Sequence, residues 1–99
     1  MSYTILIEEL AEKDIDEAFL WFELQKEGLG FEFIESISET FEKIMNYPFA
    51  NQLAYKNLRK TVIKRFPYLI FYFVDNDLIH IVAVMHSRRN PNFWKQRLK

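Results

Sequence analysis

The sequence predicts a single α+β domain spanning residues 1–99, and three observations lead to that prediction. A short stretch that alternates like a strand comes first, two stretches of helical period follow, and apolar runs rich in β-forming residues come last. The composition is that of a folded chain, with 49% hydrophobic residues, 17% aromatic residues and only two glycines. A chain of this length and composition forms one small globular domain rather than a disordered segment.

The first half of the chain predicts a strand and two helices. Residues 3–7 alternate and are rich in β-formers, whereas over residues 11–22 the apolar side chains recur at helical spacing. A second helical series covers residues 34–45 and ends before Pro48. The glycines of segment 28–30 interrupt the pattern between the two series. We therefore expect an antiparallel helical hairpin, whose acidic side is most simply a solvated face.

The second half predicts three strands and a short helix. The two later strands are apolar on both faces, which is typical of the centre of a sheet. The Asp-Asn-Asp turn between them tolerates left-handed backbone conformations, so these two strands form an antiparallel hairpin. Asn90 and Pro91 are the residue types that begin a helix. The segments are, in order, a polar connection at 49–57, strands at 59–65, 68–74 and 78–85, and a short helix from Asn90.

Charge is distributed unevenly along the chain. Residues 1–50 contain three Lys and Arg residues against twelve Asp and Glu residues, a net charge of −9. Residues 51–99 contain ten against two, a net charge of +8, so the overall charge of −1 conceals an acidic half and a basic half. This asymmetry predicts an acidic or polyanionic partner for the basic half.

What the sequence lacks excludes several classes of protein. Without cysteine the chain forms no disulfide and no thiolate metal site. The N-terminal residues do not have the pattern of a signal peptide, and the uncharged apolar run 66–74 is too short to cross a membrane. We therefore expect a cytoplasmic protein with no membrane partner. The sequence has no nucleophile triad, metal-ligand cluster or glycine-rich phosphate loop, so we expect no cofactor, no metal and no stand-alone catalytic site.

Segment 86–91, His-Ser-Arg-Arg-Asn-Pro, is the first candidate site. It leaves a predicted central strand and enters the N-terminus of the predicted helix, where N–H groups and the helix dipole favour an anion. Arg88 and Arg89 would repel that dipole unless a negative group lies nearby. They are therefore expected to contact either an anion or partner, or a carboxylate of the helical hairpin, and the spacing leaves both interpretations open.

Lys60, Lys64 and Arg65 form a second cationic group, on the predicted strand 59–65. Strand alternation puts Lys60 and Lys64 on one face and Arg65 on the other. One interpretation is a phosphate-contacting stripe beside the Arg pair. The other is that this strand is an edge, and that its lysines deter pairing with another chain.

Histidine and tryptophan complete the candidates. His86, at a predicted strand end beside two arginines, is a candidate general base, whereas His80 is expected to pack within the sheet. Trp94 and Arg97 share the predicted C-terminal helix, where they could contact a partner. Trp94 would either stack on a base or a partner side chain, or close the small core.

The order and spacing of several segments are characteristic when taken together. They are the acidic helix with Phe22, the turn at 28–31, Pro48, Arg59, the segments 66–72, 81–84 and 86–91, Trp94 and Arg97. In this order they resemble the RelE/ParE superfamily of toxins from type II toxin–antitoxin (plasmid stabilisation) modules. The likeness spans most of the chain and is nearer the ParE branch than the RelE branch.

The resemblance implies a fold in which the helical hairpin packs on a small, mainly antiparallel sheet. It also implies a cognate antitoxin whose C-terminal segment wraps the toxin, in a heterotetramer for example. ParE-like members are associated with poisoning DNA gyrase and need no catalytic residues of their own. In this chain the target or anion contacts would be Lys60, Lys64, Arg65, Arg88, Arg89, Trp94 and Arg97.

RelE-like members instead cleave mRNA in the ribosome. Leu69 stands where an arginine is common in both branches, and Trp94 stands where the ribonucleases tend to carry a catalytic tyrosine. A ribonuclease site would have to combine the base His86 with phosphate contacts from Lys60, Lys64, Arg88 and Arg89. The residues favour a ParE-like growth inhibitor. A RelE-like ribonuclease and an inactive member that only binds its antitoxin are the alternatives.

Overall fold

The computed structural model describes residues 2–89 and Arg97, and within them two helices pack on a five-stranded sheet. The helix predicted from Asn90, with Trp94, lies outside the described residues. No helix among the described residues is long and apolar enough to cross a membrane. The elements, in chain order, are β1 (Thr4–Ile7), α1 (Glu9–Gln25), α2 (Leu29–Asn46), β2 (Leu53–Tyr55), β3 (Leu58–Val62), β4 (Tyr68–Asp75) and β5 (Leu78–His86).

The strand order of the sheet is β1-β5-β4-β3-β2. β1 lies parallel to β5, and every other neighbouring pair is antiparallel. The two longest strands, β4 and β5, lie inside the sheet, as their continuous apolar sequences predict. The predicted α+β architecture with a helical hairpin and a mainly antiparallel sheet is confirmed.

The structure corrects the prediction for the region before β4. Segment 49–57, predicted to be a polar connection, contains β2, which pairs with β3. β3 is therefore not an edge strand, and the interpretation of its lysines as edge protection is wrong. β3 also ends at Val62, because the chain turns through Lys64 and Arg65, where Arg65 has a φ of 71°.

The helical hairpin packs on one face of the sheet and encloses the larger core. A stripe at helical spacing from each helix meets alternate residues of β4 and β5, as the two periodicities require. The buried members are Ala11, Ala18 and Phe22 of α1, Phe33, Ile37 and Ile44 of α2, and Ile70, Tyr72, Ile79, Ile81 and Val84 of the sheet.

The turn between the helices is held by one carboxylate. Glu23 of α1 accepts the backbone N–H of Gly28 at 2.9 Å and that of Gly30 at 3.0 Å. The Glu23 carboxylate therefore accepts hydrogen bonds from two N–H groups at the start of α2, where the helix dipole also favours a negative charge. Gly28 has a φ of 88°, and a Cβ on Gly30 would lie 2.7 Å from the Phe19 carbonyl oxygen. The hairpin thus needs glycine at both positions, for different reasons.

A β-bulge places two consecutive residues of β5 on the same face of the sheet. The register passes from Tyr72 opposite Ile81 to Phe71 opposite Ala83, so Val82 is the extra residue. Val82 and Ala83 both belong to a second buried cluster, which also contains Phe71 and is separate from the core beneath the helices. The bulge therefore turns two consecutive side chains to the face of the sheet that the hairpin does not cover.

Candidate functional site

The turn between β3 and β4 lies beside the end of β5, and this brings most of the predicted cations together. The backbone N–H of Ser87 donates to the carbonyl oxygen of Pro67 at 2.8 Å, which continues the β4–β5 ladder past Tyr68. Two cationic segments that are distant in sequence therefore meet at one end of the sheet. We call this end the cationic end; it comprises Lys64, Arg65, His86, Arg88 and Arg89.

Arg65 of the cationic end contacts the second helix. Its guanidinium lies 3.2 Å from a carboxylate oxygen of Glu32 on α2 and 5.7 Å from the centre of the Phe66 ring. The side chains of Arg65 and Glu32 are 56% and 49% exposed, so water and salt screen this ion pair. Arg65 thus remains accessible to a partner with a stronger or better-placed anion.

His86 shapes the segment that carries the arginine pair. Its Nδ1 accepts the backbone N–H of Arg88 at 3.1 Å, and its carbonyl oxygen accepts that of Arg89 at 3.0 Å. The ring also meets Tyr68 edge-on, with centroids 5.4 Å apart. Because Nδ1 is an acceptor here, a neutral His86 carries its proton on Nε2. His86 therefore positions the exposed residues Arg88 and Arg89. Burial raises the pKa of the Tyr68 hydroxyl beside it.

Two of the predicted contact residues, Lys60 and Arg97, lie away from the cationic end. Lys60 is aligned with Phe71 on β4, three positions along from the Tyr68–His86 pair and two strands across, or about 14 Å from His86 at standard strand spacings. Lys60 also points to the sheet face opposite the helices. The structure therefore does not bring Lys60 next to His86.

Arg97 is held within the protein. Its Nη1 and Nη2 donate to the two carboxylate oxygens of Asp14 at 2.6 and 3.1 Å, and Nη1 also donates to the Val82 carbonyl oxygen at 3.1 Å. The Arg97 and Asp14 side chains are only 16% and 10% exposed. This bidentate, partly buried pair is of the strong kind. Trp94, the remaining predicted contact, is outside the described residues.

Sequence reasoning missed Asp14, although a signal for it exists. Asp14 lies on the helical stripe of Ala11 and Ala18, both of which are buried. A carboxylate on a buried stripe requires partners. Besides Arg97, Asp14 accepts the backbone N–H of Val84 at 3.0 Å. Asp14 thereby gives a hydrogen-bond acceptor to a backbone N–H on the edge of β5, at a point that β1 does not reach.

A groove of about 230 Å³ separates α1 from the cationic end. Trp21, which is 54% exposed, lies on one side with Glu17, and Tyr68, His86 and Arg89 lie on the other. The groove thus combines aromatic surface with both signs of charge. Trp21 was also missed in the sequence, because the helical period there is set by its buried neighbour Phe22 and places Trp21 off the apolar stripe.

Comparison with known proteins gives the family. The family model for the ParE toxin of the type II toxin–antitoxin system parDE matches residues 5–91. The chain belongs to the ParE toxin family. A solved structure titled "Chromosomal ParDE TA system from P. aeruginosa" has a TM-score of 0.75 over 85% of this chain and 95% of that chain, at 12% identity. At that identity the likeness shows the fold alone. No curated protein gave a match.

The predicted membership of the RelE/ParE superfamily, nearer its ParE branch, is confirmed, and the chain is a ParE-type toxin of a type II toxin–antitoxin system. One departure from the expected pattern can now be located. Leu69, where the resemblance leads us to expect an arginine, lies opposite Met85 and packs with the buried cluster around Phe71. Apolar packing therefore occupies the position where the resemblance leads us to expect a cation.

Proposed function

We propose that this toxin inhibits DNA gyrase in the cytoplasm through its cationic end and is neutralised by a cognate antitoxin. The observation that carries the proposal is the meeting of Lys64, Arg65, Arg88 and Arg89 on two adjacent turns. These side chains are exposed. Clustered exposed cations attract acidic protein surfaces and nucleic-acid phosphates over several ångströms and speed association.

The arrangement supports an inhibitor better than a ribonuclease. A general base needs its acceptor nitrogen within hydrogen-bond reach of the proton that it removes. In His86 the Nδ1 atom is occupied by the Arg88 backbone N–H, and Lys60 is about 14 Å away by strand geometry. Leu69 removes another phosphate contact from the same region. A binding surface requires none of these features.

The first test is a charge reversal at the cationic end. Arg88→Glu combined with Arg89→Glu should abolish growth inhibition without unfolding the protein, because both side chains are exposed at the end of β5. In cells that express the wild-type toxin, pulse labelling should show that thymidine incorporation fails before methionine incorporation. A control with the same change in charge, Lys13→Glu combined with Lys56→Glu, alters exposed side chains elsewhere and should stay toxic.

Each alternative has its own outcome in that experiment. Earlier loss of methionine incorporation would mean a ribosomal target and refute the gyrase assignment. Harmless expression of the wild-type chain would instead mark it as an inactive, antitoxin-binding member. Retained toxicity of the Arg88/Arg89 variant would refute the role of the cationic end.

Neutralisation is tested separately. Type II modules pair the toxin with an antitoxin, so a short open reading frame next to this gene should restore growth when co-expressed. Purified antitoxin should also restore the supercoiling activity of gyrase in the presence of the toxin. If no neighbouring frame does either, the proposed antitoxin partnership fails while the charge-reversal result stands on its own.

A further inference from the structure

β1 is an edge strand with one side open among the described residues. The backbone N–H of Thr4 donates to the Asp77 carbonyl oxygen at 2.9 Å, and that of Glu8 donates to the Ile81 carbonyl oxygen at 3.0 Å. In a strand the peptide groups alternate in direction, so Thr4, Leu6 and Glu8 are turned toward β5. The N–H and C=O groups of Ile5 and Ile7 are therefore turned away from the sheet.

The side chains of this edge lack the features that usually protect an exposed strand. Residues Thr4–Ile7 contain no charge and no proline, and Leu6 and Ile7 are 41% and 36% exposed. Natural edges are normally protected by charged residues, proline, bulges or extreme shortness. The opposite edge follows that rule, since β2 has a register shift and Lys56 in the turn that follows. β1 is thus the edge that is suited to accept another strand.

Acidic residues border both ends of this edge. At its start, a groove of about 440 Å³ is lined by Tyr3, Met45 and the carboxylate-bearing Glu42, with no cation among its lining residues. Asp77 lies beside Thr4, through the hydrogen bond to its carbonyl oxygen. At the other end β1 leads directly into Glu8 and Glu9. Arg97 lines a groove with Glu8 and Glu9 at this end, but its guanidinium donates to Asp14, so the charge of these four side chains is still net negative. A strand added here would therefore meet mainly negative charge.

This charge decides between the two simplest occupants. A second copy of the chain would bring a second acidic half, and residues 1–50 carry a net charge of −9. Like charges placed side by side disfavour self-pairing. A basic strand would instead be attracted, while its apolar residues would cover Leu6 and Ile7.

We propose that the outer edge of β1 binds an extended segment of a partner protein in which basic and apolar residues alternate, adding a further strand to the sheet. Main-chain hydrogen bonds to Ile5 and Ile7 supply affinity, and the surrounding carboxylates select the basic partner. This surface goes beyond the proposed function, because it lies in the acidic half and uses none of the residues of the cationic end.

The test uses the wild-type protein made by cell-free synthesis with ¹⁵N labelling. The probe is an acetylated, amidated nonapeptide of alternating lysine and valine. Amide hydrogen exchange of Ile5 and Ile7 should slow by at least about tenfold on peptide addition, because these N–H groups gain partners. Exchange at Leu6 should change far less, since its N–H already points toward β5. This alternation distinguishes strand addition from general stabilisation.

Two variants and one peptide are the controls. Ile7→Pro removes an outward N–H that the sheet does not use, and should weaken binding at least about tenfold, since proline is tolerated on the free side of an edge strand. Glu42→Lys preserves every strand contact and should weaken binding of the lysine peptide while improving that of a glutamate–valine peptide. It keeps the proposal testable if the proline variant fails to fold.

Three results would overturn the proposal. The first is unchanged exchange at Ile5 and Ile7 with saturating lysine–valine peptide. The second is equal or stronger protection by the glutamate–valine peptide, which would exclude charge selection. The third is protection of the same amides without any peptide, together with a dimer in analytical ultracentrifugation, which would mean that a second copy occupies the edge.

Discussion

Single side chains hold two of the described loops in place through hydrogen bonds to backbone. Tyr72 is fully buried, and its hydroxyl donates to the Pro48 carbonyl oxygen at 2.8 Å while accepting the Asn51 side-chain amide at 2.9 Å. Arg59 donates to the carbonyl oxygens of Phe49 and Asn51 at 3.1 and 2.6 Å. Together these bonds fasten the chain between α2 and β2 to the sheet. His86 does the same for the segment that carries Arg88 and Arg89.

Removing the Tyr72 hydroxyl should therefore destabilise the fold. Tyr72→Phe leaves the Pro48 carbonyl oxygen and the Asn51 amide without this partner, at a cost of about 1–2 kcal/mol in the free energy of unfolding. Urea denaturation at neutral pH measures this directly. An unchanged midpoint would mean that water replaces the hydroxyl. Phe71→Leu, a conservative change in the other cluster, is a control for general core disturbance.

The same residue predicts a pH dependence. Burial raises the pKa of Tyr72 above its usual value near 10, although the Asn51 hydrogen bond and the Arg59 charge oppose the rise. A group whose pKa is higher in the folded state contributes stability that is complete below its unfolded pKa and is lost as the pH rises through the folded value. Wild-type stability should therefore fall above about pH 10, and this fall should be smaller in Tyr72→Phe.

The elements show where sequence reasoning succeeds and where it fails. Both helices could be predicted, because Phe22 and Ile37 belong to long series with a repeating period. β2 could not, since three residues are too few to show a period. The early end of β3 was also hidden, because Ile63 continues the β-branched run of Thr61 and Val62. The turn depends on the left-handed conformation of Arg65, which a non-glycine residue rarely adopts and no sequence feature signals.

The candidate site was predictable in its residues more than in its geometry. The arginine pair and Arg65 stood out by charge and fall at one end of the sheet, because a hairpin register brings Tyr68 opposite His86. Arg97 could not be separated from them by sequence. Its partner Asp14 lies 83 positions away, and only the folded sheet brings the two together.

The helical hairpin offers a sharp test of two roles of glycine. Gly30→Ala would place a Cβ 2.7 Å from the Phe19 carbonyl oxygen and 2.9 Å from its ring, so the helices must separate, at a cost of about 1–3 kcal/mol or more. Gly28→Ala meets no atom within 4 Å, and its cost is only that of a left-handed alanine, about 1–2 kcal/mol.

The two glycine variants should also differ in structure. Gly30→Ala should shift the NMR signals of Phe19 and Phe31, whose rings pack edge to face with centroids 5.0 Å apart, while Gly28→Ala should leave them in place. Chemical denaturation gives the stabilities, and an aromatic ¹³C spectrum gives the ring positions. Equal ring shifts in both variants would contradict the assignment of separate packing and backbone roles.

Over the whole molecule, the uneven charge of the sequence becomes a separation in space. The acidic half supplies β1, α1 and α2, and the basic half supplies the cationic end of the sheet. Among the described residues, arginine–carboxylate pairs join the halves, and they include Arg65 with Glu32 and Arg97 with Asp14. The Arg97–Asp14 pair is the more buried of these, and Asp14 also accepts the backbone N–H of Val84 at the edge of β5. The exposed one leaves the cationic end accessible, so the internal pairing does not neutralise the surface that the proposed function needs.

The proposed inhibition of gyrase should therefore depend on salt. Salt screens the attraction between exposed charges beyond a Debye length of about 10 Å at 0.1 M. Raising potassium glutamate from about 0.05 to about 0.25 M should therefore weaken inhibition at least about threefold. A supercoiling assay with purified gyrase measures the toxin concentration that halves the activity at each salt concentration. Gyrase alone at each concentration corrects for the direct effect of salt on the enzyme.

Variants separate this charge effect from the rest of the surface. Arg88→Glu should lose potency and most of its salt dependence, because the steering charge is reversed. Trp21→Ala changes the groove beside the cationic end without changing charge, so any potency it loses should be equally lost at every salt concentration. Inhibition by the wild-type toxin that is independent of salt would mean that apolar contacts around Trp21, and not the cations, hold the target.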